Sequence, residues 1–317
     1  MKNKQNERKV RLAGMGKALA GRQVCFDDQI RYRLAPGETL LDLAQRAAEE
    51  ALEHADMKIS DMDCIVCAMA TPLQGIPCNA ALIHERMAKG LNIPAMDINT
   101  TCTSFLSALD TMSYLLAAGR YERVLILSGD TASAALNPGQ KESYELFSDA
   151  AAAAVLTCSQ ADEPSAILYG CQRTWSEGAH DTEIRGGAGL LPALALTEDN
   201  REDYYFDMKG IKILRLCARI LPDFVEECLK EADVRREDIR LTIPHQASKA
   251  LGVIMSRLDF EKGTYIDRVQ QYGNMVSASI PYALCEAIEE GRIHRDDLVL
   301  LMGTAAGLTV NFLLLRY

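Results

Sequence analysis

Three residue types in this chain do chemistry together: Cys102 in DINTTCTSFLSALD, His245 in IPHQASKAL and Asn274 in YGNMVSASIP. A thiolate takes an acyl group from a thioester and holds it as a new thioester, which divides one difficult bond formation into two easier steps. Cys102 falls between the apolar-leaning run MDINTT and a long helical pattern. Its sulfur is therefore expected at a strand end against a helix N-terminus, where backbone N–H groups and the helix dipole favour thiolate. An imidazole and a carboxamide are hydrogen-bond donors suited to an oxyanion or enolate, and the imidazole also moves protons. Taken singly each has a plainer reading: a free Cys is commonly a packed one, and a His after Pro244 or an Asn after Gly273 suits a turn.

The elements that must position these residues repeat. LLDLAQRAAEEALEHADMKISDMDCIVCAMATP reads as an amphipathic helix, an acidic turn and a buried strand, and LRLCARILPDFVEECLKEADVRREDIRLTIPHQ reads the same way, pairing Ala55-Asp56 with Ala232-Asp233 and Asp63 with Asp238. INTTCTSFLSALDTMSYLLAAGRYERVLILSGDTAS is matched by NMVSASIPYALCEAIEEGRIHRDDLVLLMGTAAG, with Gly119 and Gly291 as helix C-caps. Helices alternate with apolar runs such as VLILS and LVLLM, which suit strands covered on both faces. The expectation is an α/β layered fold of two duplicated halves, residues 1–160 carrying the nucleophile and 161–317 carrying His and Asn.

The chain has 317 residues, 48% hydrophobic and 25% charged, with net charge −10, which argues against nonspecific nucleic-acid binding. No run of apolar residues is long enough for a membrane span and no signal peptide stands out, so a cytoplasmic protein with reduced thiols is expected. Cys64 and Cys67 have CxxC spacing, but on a strand they point to opposite faces and no second ligand pair follows, so no metal site is expected. Asp149 in FSDAAAAA reads as structural.

In order, DINTTCTSFLSALD, ELFSDAAAAAVL, IPHQASKAL, YGNMVSASIPYAL and MGTAAGLTVNFLLLRY resemble the ketoacyl-ACP synthase III branch of the thiolase-fold condensing enzymes, over nearly the whole chain from about residue 10. The resemblance implies a five-layered αβαβα fold with the active site where the halves meet. It makes Cys102 the acyl carrier, His245 and Asn274 the donors to the enolate formed when a malonyl-type thioester loses CO2, and the backbone N–H groups of Cys102 and Ala306 the oxyanion hole. It also implies acyl-CoA or acyl carrier protein thioesters as substrates, no resident cofactor, and a homodimer or a heterodimer with a related subunit.

Departures concern the substrate entrance. The family's W-I-x-x-R-x-G-I-like stretch, which holds the nucleotide end of coenzyme A, is replaced by the short QVCFDDQIRYRLAPGET, and the chain's one Trp is Trp175. Ser248 stands where an Asn usually helps hold the pantetheine, and Ala250 where an Arg often follows. Lys249, Arg215 and Lys141 are the cations expected to meet an acidic phosphopantetheine or carrier protein. Thr304 replaces a Phe beside the nucleophile and Ile76 a Phe that reaches the partner subunit's acyl site, so both remove ring volume. Acyl transfer from Cys102 to an alcohol, amine or water, with His245 as general base, and a non-catalytic partner subunit are the alternatives; the retained Cys, His and Asn favour decarboxylative condensation, in fatty-acid-like, polyketide or other specialised biosynthesis.

Overall fold

The computed structural model describes residues 7–27 and 29–317; the charged first six residues, expected to hold no targeting segment, lie outside it. The chain runs through β1 (Val10–Leu19), the β2–β3 hairpin (Arg22–Phe26, Gln29–Arg33), α1 (Leu40–His54), β4 (Cys64–Cys67), α2 (Asn79–Met87), β5 (Ala95–Asp97), α3 (Ser104–Ala117) and β6 (Arg123–Asp130). The one-turn α4 (Lys141–Tyr144), β7 (Ala150–Cys158), β8 (Ala166–Thr174), the two-residue β9 (Thr182–Glu183) and β10 (Asp207–Met208), and α5 (Gly210–Ala232) follow. Last come β11 (Leu241–Pro244), α6 (Leu251–Arg257), α7 (Val269–Tyr272), α8 (Ser279–Glu289), β12 (Leu298–Ala305) and β13 (Thr309–Arg316).

Two sheets share one topology. The first has strand order β1-β7-β6-β4-β5 and the second β8-β13-β12-β11. Antiparallel β1/β7 and β7/β6 and parallel β6/β4 correspond to antiparallel β8/β13 and β13/β12 and parallel β12/β11. In the second sheet the fifth position shrinks to one parallel bridge, Thr242 with Tyr265.

Alternation along the strands builds the layers. On β12, Val299 and Leu301 face a central core with Phe105, Leu109 and Met112 of α3 and Ile280 and Leu284 of α8, whereas Leu300 and Met302 face an outer core with Leu221, Phe224 and Cys228 of α5. On β4, Cys64 and Val66 face the centre, while Ile65 and Cys67 face the alanine-rich side of α1. The CxxC pair is thus split between two cores, as its spacing predicts. The helix α1 lies almost on the backbone of β1: a Cβ on Gly14 would stand 2.1 Å from the Ala51 carbonyl oxygen, and one on Gly16 2.2 Å from that of Ala47. The order of layers is therefore helix, sheet, helix, sheet, helix, the expected thiolase-like αβαβα arrangement, with α3 and α8 in the middle.

The repeat extends to the turns. Asp56 and Asp233 end α1 and α5 in the left-handed region at φ 53° and 56°, and Gly119 and Gly291 follow α3 and α8 at φ 73° and 67°. One pairing needs correction: Asp61, not Asp63, is the counterpart of Asp238. Each closes a single helical turn onto a backbone N–H, Asp61 to Lys58 at 2.8 Å and Asp238 to Arg235 at 3.3 Å, while Asp63 instead accepts from Glu122 and Arg123. Among the described residues no helix is long and apolar enough to cross a membrane.

Candidate active site

The turns that enter α3 and α8 are built alike. Asn99 Oδ1 accepts the Thr101 N–H at 2.8 Å, and Asn274 Oδ1 accepts the Val276 N–H at 2.8 Å. Ser104 Oγ accepts from Thr100 N at 3.0 Å, and Ser279 Oγ from Met275 N at 2.9 Å. The amide nitrogens reach back to the neighbouring strand end: Asn99 Nδ2 donates to Ala70 O at 2.9 Å, and Asn274 Nδ2 to Ala247 O at 3.2 Å. Thr101 and Val276 both sit at φ near 50°, a backbone region that costs a β-branched residue about 1–2 kcal/mol and holds only where the surroundings impose it. Cys102 therefore corresponds to Ser277. His245 corresponds to Ala68, each donating its N–H across its sheet, to Met302 O at 2.9 Å and to Leu127 O at 2.6 Å.

The halves meet around these turns. Gly303 on β12 is the point of closest approach: a Cβ there would lie 2.8 Å from His245 Cβ and 3.1 Å from Thr103 Cγ2, so the absence of a side chain lets the His strand end and the Cys102 turn touch the same spot. Asn311 on β13 donates to Ser107 Oγ of α3 at 3.1 Å. The N–H groups of Ala306, from the second half, and of Cys102 itself favour the ionised form of the Cys102 sulfur. Asn274 is anchored to the first half, its N–H on Leu146 O at 2.9 Å and its carbonyl receiving Ser148 N at 3.0 Å.

Below them Asp130, at the buried end of β6, gathers donors from both halves: the N–H groups of Ala70, Thr71 and Ser277, and the hydroxyls of Thr71 at 2.9 Å and Ser277 at 2.6 Å. Burial pushes its carboxyl up from the ordinary value against the pull of these donors.

The electrostatics overturn one expectation. Burial first, then the Asp130 charge, push the Cys102 thiol up to about 12, and the N–H groups of Ala306 and Cys102 offset only part of this. The resting nucleophile is a thiol, not the thiolate that a helix N-terminus alone would favour. Burial also drives the His245 imidazole down to about 4, so it is neutral at physiological pH. His245 is 4% exposed, and its Nδ1 has no protein partner among the described residues. The pair is accordingly thiol with neutral imidazole, poised to pass a proton and to offer one N–H rather than to hold an ion pair.

The expected substrate-binding residues spread outward from this centre. Ser248 and Lys249 continue the His245 loop; the Ser248 hydroxyl accepts Ala250 N at 3.2 Å at the start of α6, and Lys249 is exposed. Arg215 lies on α5 in a groove against α6, between Leu214, Val253, Ile254 and Arg257. Thr304 is next to Gly303 but on the other face of β12. Ile76 is 88% exposed in the loop between β4 and α2. Lys141 is set apart on α4, its ammonium paired with Glu145 at 3.5 Å. Asp149 is structural, as expected, taking the N–H groups of Leu34 and Ser133.

Asn99, Asp130 and Gly303 escaped the sequence reading. For Asn99 a signal was present: aligning INTTCTS with GNMVSAS places it on Asn274. Asp130 and Gly303 end apolar strand runs and carry no local mark of what they touch. Among the described residues no group of His, Cys, Asp and Glu is arranged to hold a metal ion.

Known proteins agree with this geometry. Residues 96–172 match the family described as 3-oxoacyl-(acyl-carrier-protein (ACP)) synthase III, and residues 229–317 match its C-terminal counterpart. The beta-ketoacyl-(acyl-carrier-protein) synthase III of Aquifex aeolicus is 33% identical over 286 residues, covering 90% of this chain and 86% of that protein. That of Rhodopirellula baltica is 31% identical, covering 98% and 99%. The solved synthase III from Aquifex aeolicus superposes with a TM-score of 0.86 at 27% identity over 97% of this chain and all of that one. The priming beta-ketosynthase of the R1128 polyketide pathway, at 21% identity and a TM-score of 0.87, shares the fold. With nucleophile turn, donor turn and both halves matched to these relatives, the chain belongs to the beta-ketoacyl-ACP synthase III family of acyl-transferring condensing enzymes.

Proposed function

We propose that Cys102 accepts an acyl group from a carrier thioester and that the acyl-Cys102 then condenses with a malonyl-type thioester. In loading, the Cys102 sulfur attacks the thioester carbonyl and its proton passes by way of neutral His245 to the departing thiolate, while the N–H groups of Cys102 and Ala306 hold the tetrahedral oxyanion. In condensation, the malonyl-type thioester releases CO2; its thioester oxygen becomes an enolate held by N–H groups of His245 and Asn274. The enolate carbon attacks acyl-Cys102, and the C–S bond breaks to return the thiolate, which is reprotonated. Sulfur, imidazole and amides suffice, so the reaction calls for no metal or resident cofactor. The observation that carries this reading is the meeting of the His245 strand end and the Cys102 turn at Gly303, where the two halves join.

An acyl carrier protein fits as donor partner better than free coenzyme A. The stretch that would hold the nucleotide is short and has no Trp, whereas exposed Arg215 and Arg257 flank exposed Leu214 and Val253 in one groove, a surface for an acidic helix whose phosphopantetheine passes Lys249 and Ser248. Exposed Ile76 suits contact with a second copy of the chain in a homodimer. A cytoplasmic setting suits both the carrier protein and the free thiols.

Intact-protein mass spectrometry after incubation with acyl-CoA and acyl-carrier-protein thioesters, with Cys102→Ser as control, tests the assignment. An adduct absent from Cys102→Ser, and discharged by malonyl carrier protein with CO2 release into a ketoacyl product, is the expected result. An adduct indifferent to the malonyl donor but discharged by an alcohol or amine would overturn it.

A further inference from the structure

Away from the active site, the outer face of β8 meets α5 through a short ladder of side chains. Tyr169, Cys171 and Arg173 alternate along β8 and so share one face. At one end the Tyr169 hydroxyl donates to Glu231 Oε2 at 2.6 Å; at the other the Arg173 guanidinium donates to Glu227 Oε2 at 2.5 Å. Glu227 and Glu231 are one helical turn apart, and Cys228 lies between them on the same helix. The two flanking bonds fix the register, which leaves Cys171 opposite Cys228. Cys228 belongs to the buried cluster under α5 and Cys171 packs against that cluster, and both thiols are free.

We propose that Cys171 and Cys228 form a peroxide-oxidisable dithiol, with Cys171 as the attacked sulfur and Cys228 as the resolving one. Burial and access divide the roles: Cys228 is fully buried, while Cys171 is partly exposed on β8, the edge strand of its sheet. The neighbouring Cys228 thiol, and then the charge of Arg173, favour the ionised form of Cys171 against the effect of its partial burial. The thiols of Cys64, Cys67, Cys102, Cys158, Cys217 and Cys285 are all shifted the other way, chiefly by burial. Oxidation susceptibility follows thiolate character and access; Cys25, Cys78 and Cys158 are more exposed, but Cys171 combines partial access with a favoured ionised form and a second thiol beside it.

The chemistry balances with a hydroperoxide as oxidant. The Cys171 sulfur attacks one peroxide oxygen, the O–O bond breaks, and the other oxygen leaves as an alcohol, or as water from hydrogen peroxide, with the former thiol proton. Cys171 is now a sulfenic acid. The Cys228 sulfur attacks the Cys171 sulfur, the S–O bond breaks, water departs with the Cys228 proton, and the new disulfide ties α5 to β8. One peroxide is reduced and two thiols are oxidised.

The test treats full-length protein with hydrogen peroxide, in the Cys102→Ser background and in wild type, and maps the products by mass spectrometry of peptides before and after dithiothreitol. The expected result is a dithiothreitol-reversible loss of two hydrogens that joins the Cys171 and Cys228 peptides and precedes oxidation of Cys102 in wild type. Cys171→Ser should abolish the crosslink. Cys228→Ala should leave a sulfenic acid on Cys171 that dimedone captures, a readout that survives if the crosslink itself is lost for other reasons. Oxidation at Cys102 ahead of Cys171, or dimedone labelling of Cys228→Ala spread evenly over other thiols, would overturn the proposal.

Discussion

Gly303→Ala puts the packing of the two halves to a direct test. The added carbon would stand 2.8 Å from His245 Cβ and 3.1 Å from both Ile280 Cδ1 and Thr103 Cγ2. Carbon atoms rest at about 3.5–4.0 Å, so His245 and the Cys102 turn must separate by roughly 1 Å. A shift of that size in a reacting group costs about 100-fold in rate. Overpacking itself costs about 1–3 kcal/mol, which in a protein of this size lowers Tm by only several degrees. The assay follows acyl-Cys102 formation and its malonyl-dependent discharge by mass spectrometry in single turnovers, alongside calorimetry. Gly189→Ala, where an added Cβ meets nothing within 4 Å, is the control. We expect discharge to fall about 100-fold in a folded Gly303→Ala protein and to be unchanged in the control. Wild-type discharge at unchanged Tm would refute the convergence of His245 and the Cys102 turn on Gly303.

Three further outcomes follow from the same geometry. Alkylation of Cys102 by iodoacetamide should accelerate about tenfold per pH unit from pH 7 to 10 with no plateau, because the thiol ionises near 12; a plateau beginning near neutrality would restore the thiolate reading. The His245 imidazole releases its proton near 4 when folded and near 6.5 when unfolded, so between these values the unfolded chain holds more protons and stability rises with pH. His245 alone contributes a loss of about 3 kcal/mol as pH falls through that window, and denaturant titrations of His245→Asn should show a correspondingly shallower acid slope. Asn99→Ala removes the bonds that hold Thr101 in its left-handed conformation, so loading of Cys102 should slow by about tenfold or more with little change in Tm, and unchanged loading would count against Asn99 as a positioning residue.

Much of this molecule is legible in sequence because its chemistry is local. Cys102, His245 and Asn274 each sit in short turns whose neighbours mark them, and the helix–strand repeat exposes the duplicated halves before any coordinates. What escapes is set by partners distant in the chain. Asp130 ends a run that reads only as a strand, yet its donors come from residues 70, 71 and 277. The protonation of Cys102 fails for a related reason: the helix N-terminus is visible in the sequence, but the burial and the Asp130 charge that outweigh it are sums over the folded neighbourhood. Proximity to the strand pairs Asp63 with Asp238, whereas the turn that binds the carboxylate counts from the helix end and pairs Asp61 with Asp238.

The twinned turns also bear on the order in which the polypeptide is made. Ribosomal synthesis delivers the nucleophile's turn first, when its only complete equivalent on the growing chain lacks any imidazole: the strand end facing Asn99 bears Ala68 where the later copy bears His245. The Ser277 hydroxyl that completes the Asp130 cluster and the Ala306 N–H are made only after the whole of the first half. An emerging or truncated chain thus displays a sulfur with no proton acceptor and no complete oxyanion cradle. The site is complete only when β12 and the Asn274 turn have docked against the first half.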